Sequence, residues 1–381
     1  MPKKPLQKRF VVIVDSNAIF TKDIARIAGN KFDLAWKECT HLADVSLRVP
    51  EVVKGERLYQ LVTIAVQAIE NAGKNFDTVF KVTALKAPTL PNLNEVKTGV
   101  EQRFEAWLRK YEAVVIDTPC DKVDWKHVVH AAIWRIAPFA QPSEAQDSEK
   151  GFRDRLILET VREIIRLEPK HEVAFISNDA LLREAAKNEF DNKFLNTYED
   201  MSAFASFLKL THEKLNQEVA QLMIKIAPDV FYNPNNPECV YTKLSVFGRI
   251  INAFGLNLMF LPDTQPAIFG SQNGFHTPAG QEKLLIDGTD FIRVTNGNVF
   301  EWKTHLRLIR VFRLINAGVQ PIIGFEWLNE TIRIAKFDVV WSATIDDAGN
   351  FSSLAISNIF LVETLREAKT LWNMTEYGLT V

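Results

Sequence analysis

The sequence predicts an α/β fold in its N-terminal half, a doubly wound parallel sheet, joined to a C-terminal α+β domain containing an antiparallel sheet. Three observations carry this. Phe10-Val11-Val12-Ile13-Val14 is an apolar, β-branched run that leads straight into Asp15. Val173-Ala174-Phe175-Ile176 does the same, leading into Ser177-Asn178-Asp179. Strands apolar on both faces belong to parallel sheets with helices on either side. Strand-like and helix-like stretches also alternate up to about residue 212, the pattern of successive β–α units.

After the first strand, residues 18–48 read as helix and loop, and Pro50 opens a helix, since a proline at the first helical position loses no hydrogen bond. Val52, Val53, Leu61, Val62, Ala65, Val66 and Ile69 keep helical spacing until Ala72-Gly73, a C-cap signal. Glu56 falls on the inner side of that helix, and an acid on an apolar stripe needs a partner or a function. Glu51 is the alternative if the helix phase differs. Residues 74–98 are mixed, with Pro88 and Pro91 marking a loop, and a helix follows over Val100–Lys110. Tyr111–Ile116 is a third strand ending in an acid, Asp117, and Trp125–Ile136 is a helix stopped before Pro138. Trp125 and Trp134 fall at helical spacing and are expected in the core; no metal role is expected for His127 and His130.

Residues 140–150 are polar. A helix starting near Gly151 places Asp154 on the same face as Ile157, Leu158, Val161, Ile164 and Ile165. Strand Val173–Ile176, a helix at Leu181–Lys187, a strand at Lys193–Thr197 and a helix at Ser202–Leu210 complete the domain. The predicted division is an α/β domain at 1–212, a connecting helix at 213–228 ended by Pro228, and an α+β domain at 229–381. In the last, a helix near Tyr241–Phe254 precedes a Gly/Pro/Gln loop at 262–281. Asn296-Gly297 and the Asp346–Asn350 stretch are hairpin signals, with the amphipathic segment Trp302–Ala317 between them. No catalytic constellation is visible in this half.

With 381 residues, 47% hydrophobic and 24% charged, the composition is that of an ordinary globular chain of about two domains. No apolar run is long enough to span a bilayer, so no membrane partner is expected. Strand one follows the basic start, where a secretory leader would have an apolar core. Cys39, Cys120 and Cys239 are scattered and odd in number, which predicts free thiols and a cytoplasmic setting. Zinc-site spacings and Gly-rich phosphate loops are absent, and the net charge of −2 neither favours nor excludes a nucleic acid.

Four acids then stand out: Asp15 and Asp179 at strand ends, Glu56 and Asp154 on inward helix faces. Clustered carboxylates repel, and a hard divalent cation resolves the repulsion; oxygen ligands without His or Cys favour Mg²⁺ or Mn²⁺. Such a site suits phosphodiester hydrolysis. Structural roles remain open for each acid: Asp15 in a turn, Asp179 as an N-cap, Asp154 at a helix N-terminus, with Asp117 as the competing strand-end acid. Ser16, Asn17, Ser177 and Asn178 are placed to hydrogen-bond the acids, and Lys150, Arg153 and Arg135 to hold a phosphate backbone.

The pieces Val14-Asp15-Ser16-Asn17, Pro50-Glu51-Val52-Val53-Lys54-Gly55-Glu56, Glu149-Lys150-Gly151-Phe152-Arg153-Asp154 and Phe175-Ile176-Ser177-Asn178-Asp179, in that order, resemble the PIN-domain nucleases over about residues 8–212. Arg135-Ile136-Ala137-Pro138-Phe139 is similar to a bacterial branch with a long segment before the third acid. The resemblance implies a metal-dependent endoribonuclease, often a toxin of a toxin–antitoxin pair or a defence effector. Asp15, Asp154 and Asp179 would then hold the metal, with Glu56 completing its shell or orienting water. Many relatives carry a further acid just past the Asp179 position, where this chain has Ala180 and Leu181, which leaves one or two metals open. A DNA endonuclease of the same chemistry and an inactive interaction module are the rival readings. The C-terminal domain could bind nucleic acid, an antitoxin or a second copy of the chain.

Overall fold

The computed structural model describes residues 6–83, 89–139, 151–191, 194–213, 217–259, 275–295, 299–315, 330–346 and 349–368. The chain divides into two compact units, Met1–Leu208 and Lys209–Val381. No helix among the described residues is long and apolar enough to cross a membrane.

The first unit runs β1 (Leu6–Val14), α1 (Ser16–Ile19), α2 (Asn30–Leu42), β2 (Ala43–Pro50), α3 (Glu51–Thr83) and α4 (Leu93–Lys110). It continues with β3 (Val114–Ile116), α5 (Trp125–Ile133), α6 (Phe152–Leu167), β4 (Glu172–Ile176), α7 (Ala180–Glu189), β5 (Leu195–Tyr198) and most of α8 (Met201–His212), the helix within which the division falls. The five strands form a parallel sheet in the order β3-β2-β1-β4-β5. The apolar run Phe10–Val14 lies at its centre and is buried throughout. The rings of Phe204 and Phe207 pack edge-on against Phe10 at 5.6 and 6.3 Å. A second aromatic group joins α2 to α4 and the residue after it, Phe32 lying 6.2 Å from Trp107 and 5.8 Å from Tyr111.

Three local expectations fail here. β2 falls in the stretch read as helix and loop, because Asp44, Ser46 and Arg48 interrupt its apolar residues; Pro50 ends that strand instead of opening the helix. α3 continues past Ala72-Gly73 to Thr83, since a helical glycine costs only about 1 kcal/mol. α5 stops at Ile133, three residues before the expected Ile136, and Arg135 takes a left-handed φ of 50°. Residues 140–150 lie outside the described residues.

The second unit contains α9 (Gln217–Phe231), α10 (Val240–Lys243), α11 (Val246–Met259) and four long strands, β6 (Phe275–Thr295), β7 (Val299–Ile315), β8 (Glu330–Ile345) and β9 (Phe351–Ala368). The strands pair antiparallel in chain order. α9 runs through Pro228 to Phe231, and the expected helix at Tyr241–Phe254 is two helices, broken at Ser245, whose φ is 50°. Part of the expected 262–281 loop is strand from Phe275 onward. The amphipathic segment from Trp302 is strand β7, and its periodicity is two: Trp302, Thr304 and Leu306 are buried on one face. The Asn296-Gly297 turn lies outside the described residues, but Thr295 pairs with Val299 on either side of it. The sheet's core is aromatic, with Trp302 and Trp341 stacked at 6.0 Å and Trp341 packed on Phe231 at 6.0 Å. On β7, His305 spans its neighbours, its Nε2 3.0 Å from Asp290 of β6 and its Nδ1 2.5 Å from Asp338 of β8.

Candidate active site

Because β1 and β4 are parallel neighbours with Val14 opposite Ile176, the residues that follow them leave the sheet side by side. The Asp15 N–H extends the ladder one step, donating to the Ile176 carbonyl at 2.9 Å. The Asp15 carboxylate is 3% exposed and accepts the Ser177 hydroxyl at 2.8 Å together with the Ser16 N–H. Ser177 Oγ in turn accepts the Asp179 N–H at 3.1 Å, and Asn17 Oδ1 accepts the Asn178 N–H at 2.8 Å. Ser177 and Asn17 thus tie the two strand-end loops to each other. Asp179 caps α7, accepting the Leu182 N–H at 3.0 Å.

Asp154 reaches the same place from the first turn of α6. That turn is set by Gly151, whose φ of 114° is left-handed and whose Cβ, if it had one, would lie 2.6 Å from both Phe139 Cα and the Pro138 carbonyl oxygen. No other residue fits there. Glu56 comes from α3, where its carboxylate accepts the Arg153 guanidinium at 2.7 Å. Glu51, the alternative on that helix, is exposed and instead accepts the Thr118 N–H at 3.2 Å. Asp117 ends the edge strand β3, two strands from β1, and is exposed.

The four acids share one electrostatic field. Burial, followed by the charges of Asp15, Asp179 and Glu56, pushes the Asp154 carboxyl up to about 6, with Arg153 opposing. Burial also raises Asp15, against the hydrogen bonds from Ser177 and Ser16. Among the described residues no three His, Cys, Asp or Glu side chains converge closely enough to hold one ion as they stand. The donor chemistry nevertheless fits a hard divalent cation, since all four side chains offer oxygen and three neighbouring acids add to burial in disfavouring the Asp154 charge.

Of the basic residues, Arg153 is engaged by Glu56 but keeps its side chain 64% exposed. Arg135 is half-buried in the turn after α5, and Lys150 lies outside the described residues. Trp125 and Trp134, expected in the core, are 42% and 68% exposed. α5 buries Val128 and Ala131 against Val123 and Phe139, so the tryptophans at its two ends fall outside that face. The residue missed altogether is Arg57. It continues the apolar stripe Val53–Arg57–Leu61 and is 1% exposed. It donates to the carbonyls of Ile27 and Arg26 at 3.2 and 3.4 Å and to Gln60 Oε1 at 3.1 Å. An arginine at the i+4 position of an apolar stripe was the available signal.

A parallel α/β sheet that delivers acids from two adjacent strand ends and two helices defines a nuclease-type unit. Residues 12–181 match the PIN domain family, and the N-terminal unit is a PIN domain. PIN domains are generally nucleases and typically use divalent metals. No curated protein and no solved structure matches the chain.

Proposed function

We propose that the N-terminal unit is a metal-dependent endoribonuclease that hydrolyses phosphodiester bonds. The observation that carries this reading is the joining of Asp15 and Asp179 at adjacent strand ends through Ser177, with Asp154 and Glu56 close enough to share their electrostatic field. Asp15, Asp154 and Asp179 would hold Mg²⁺ or Mn²⁺, and Glu56 would complete the shell or orient water. A cation bound there supplies an acidified water and neutralises charge on an in-line phosphoryl transition state. The Ser177 hydroxyl keeps Asp15 oriented and favours its charged form. Arg153, tethered by Glu56, presents an exposed guanidinium to the substrate phosphate, with Arg135 and Lys150 as further backbone contacts.

RNA is preferred to DNA on the family resemblance, which also suggests a toxin or defence effector acting in the cytoplasm. A protein partner such as an antitoxin, or a second copy of the chain, would engage residues 229–381. The rival reading as an inactive interaction module draws on Asp179, whose capping bond to Leu182 is a structural role in its own right.

Thermal melting with and without Mn²⁺ tests the site, because a ligand that binds only the folded state raises the melting temperature. Mn²⁺ is expected to raise it in wild type and not in Asp154→Asn. Cleavage of matched RNA and DNA strands then separates the two nuclease readings. If Mn²⁺ shifts neither protein, the acids are caps and the catalytic reading falls.

A further inference from the structure

The loop leaving the acid end of β1 carries a ring held like a platform. α1 is a single turn capped by Asp15 and ended at Phe20. At about 1.5 Å per residue, Phe20 stands about 8 Å along that turn from Asp15. Ile19 is buried, but Phe20 is 50% exposed. Behind its ring lies the Arg57 guanidinium, 5.2 Å from the ring centroid. That guanidinium is fixed by its bonds to Ile27, Arg26 and Gln60, and Arg103 ties the same loop by donating to the Ile24 carbonyl at 3.1 Å. Arg57 follows Glu56 on α3, so the ring is backed by the helix that supplies one acid and carried by the turn that begins at another.

Single apolar side chains on a surface need no explanation, but an aromatic ring with a buried cation behind one face and solvent on the other is oriented and supported at low entropic cost. Arg103, whose guanidinium donates to the Ile24 carbonyl, adds positive charge beside the same loop, which favours a polyanion there. We propose that Phe20 is a stacking platform for a base of a single-stranded nucleic acid, placed beside the phosphate that the acids would hold. This rests on the nuclease reading above and names the strandedness of its substrate. Phe20 is then a positioning residue.

The test is binding of short single-stranded RNA and DNA in EDTA, where nothing is cleaved, each compared with an abasic strand of equal length and charge. Wild type is expected to prefer the base-bearing strand. Phe20→Leu, which keeps apolar bulk without a π-face, should weaken binding of that strand about tenfold and leave abasic binding unchanged; Phe20→Trp should restore the preference. Melting curves check that both variants fold. If wild type binds base-bearing and abasic strands alike, or Phe20→Leu binds like wild type, the platform is refuted and the ring serves another contact, such as a protein. A preserved base preference without Mn²⁺-dependent cleavage would sustain the platform while removing the nuclease reading. Cleavage with a silent Phe20→Leu would do the reverse.

Discussion

Asp154 stores repulsion that a cation or a neutral side chain would relieve. Its carboxyl titrates near 6 in the folded chain, against 3.8 ordinarily, because burial and three neighbouring acids disfavour its charge. Between these values the native state binds more protons than the unfolded state, so stability falls as pH rises through that window and stays lowered above it. Asp154 is partly open to solvent, and after allowance for screening the penalty is about 1–2 kcal/mol at neutral pH. Asp154→Asn should therefore melt about 2–8 °C above wild type at neutral pH without metal, and no higher near pH 4. A gain independent of pH would mean the substitution acts through packing. Asp15 and Asp179 were legible in sequence because each ends an apolar strand, and pairing of those strands needed only the topology. Arg57 was not, because hydropathy patterns treat a charged residue on an apolar stripe as an interruption; its carbonyl partners in the 20–29 loop are distant in sequence.

At the scale of elements, the position of α6 depends on one glycine. A methyl group at residue 151 would meet the backbone at 138–139, which cannot move aside like a side chain, and the left-handed φ adds its own strain of about 1–2 kcal/mol. Gly151→Ala should lower the stability measured by urea unfolding by about 2 kcal/mol or more and, by shifting the first turn of α6, reduce the Mn²⁺-induced rise in melting temperature. A variant with unaltered stability and an unaltered metal response would show that the start of α6 tolerates displacement. The motif around Gly151 was visible in sequence, but its need for glycine was not, since the opposing backbone lies before residues 140–150. The missed strand β2 has a similar cause: its burial alternates at Leu47 and Val49 beside Arg48, and the helical reading of its neighbours absorbed it. Edge strand β9 carries register shifts opposite Lys336–Phe337, Val340–Trp341 and Ser342–Thr344, bulges of the sort that protect a long exposed edge from pairing with another chain. Such shifts leave no trace in residue alternation.

Across the whole molecule, each unit has its own core and its own titratable device, which predicts separable unfolding. In the second unit, hydrogen bonds that the imidazolium donates to Asp290 and Asp338 hold His305 up to about 9, with burial opposing. A histidine raised in this way stabilises the fold fully below its unfolded value of about 6.5, and the contribution disappears as pH rises through about 9. Near neutral pH it is worth about 2 kcal/mol. Once the imidazole is neutral, it can no longer donate to both carboxylates, and the clamp across β6, β7 and β8 loses one side. Calorimetry should resolve two transitions. Mn²⁺ should raise only the one that Asp154→Asn desensitises, while alkaline pH should lower only the one that His305→Gln desensitises. In the double variant the two stability changes should add to within about 0.5 kcal/mol, as for sites without shared partners. A single transition answering to both perturbations would show that the PIN domain and the antiparallel sheet unfold as one cooperative body.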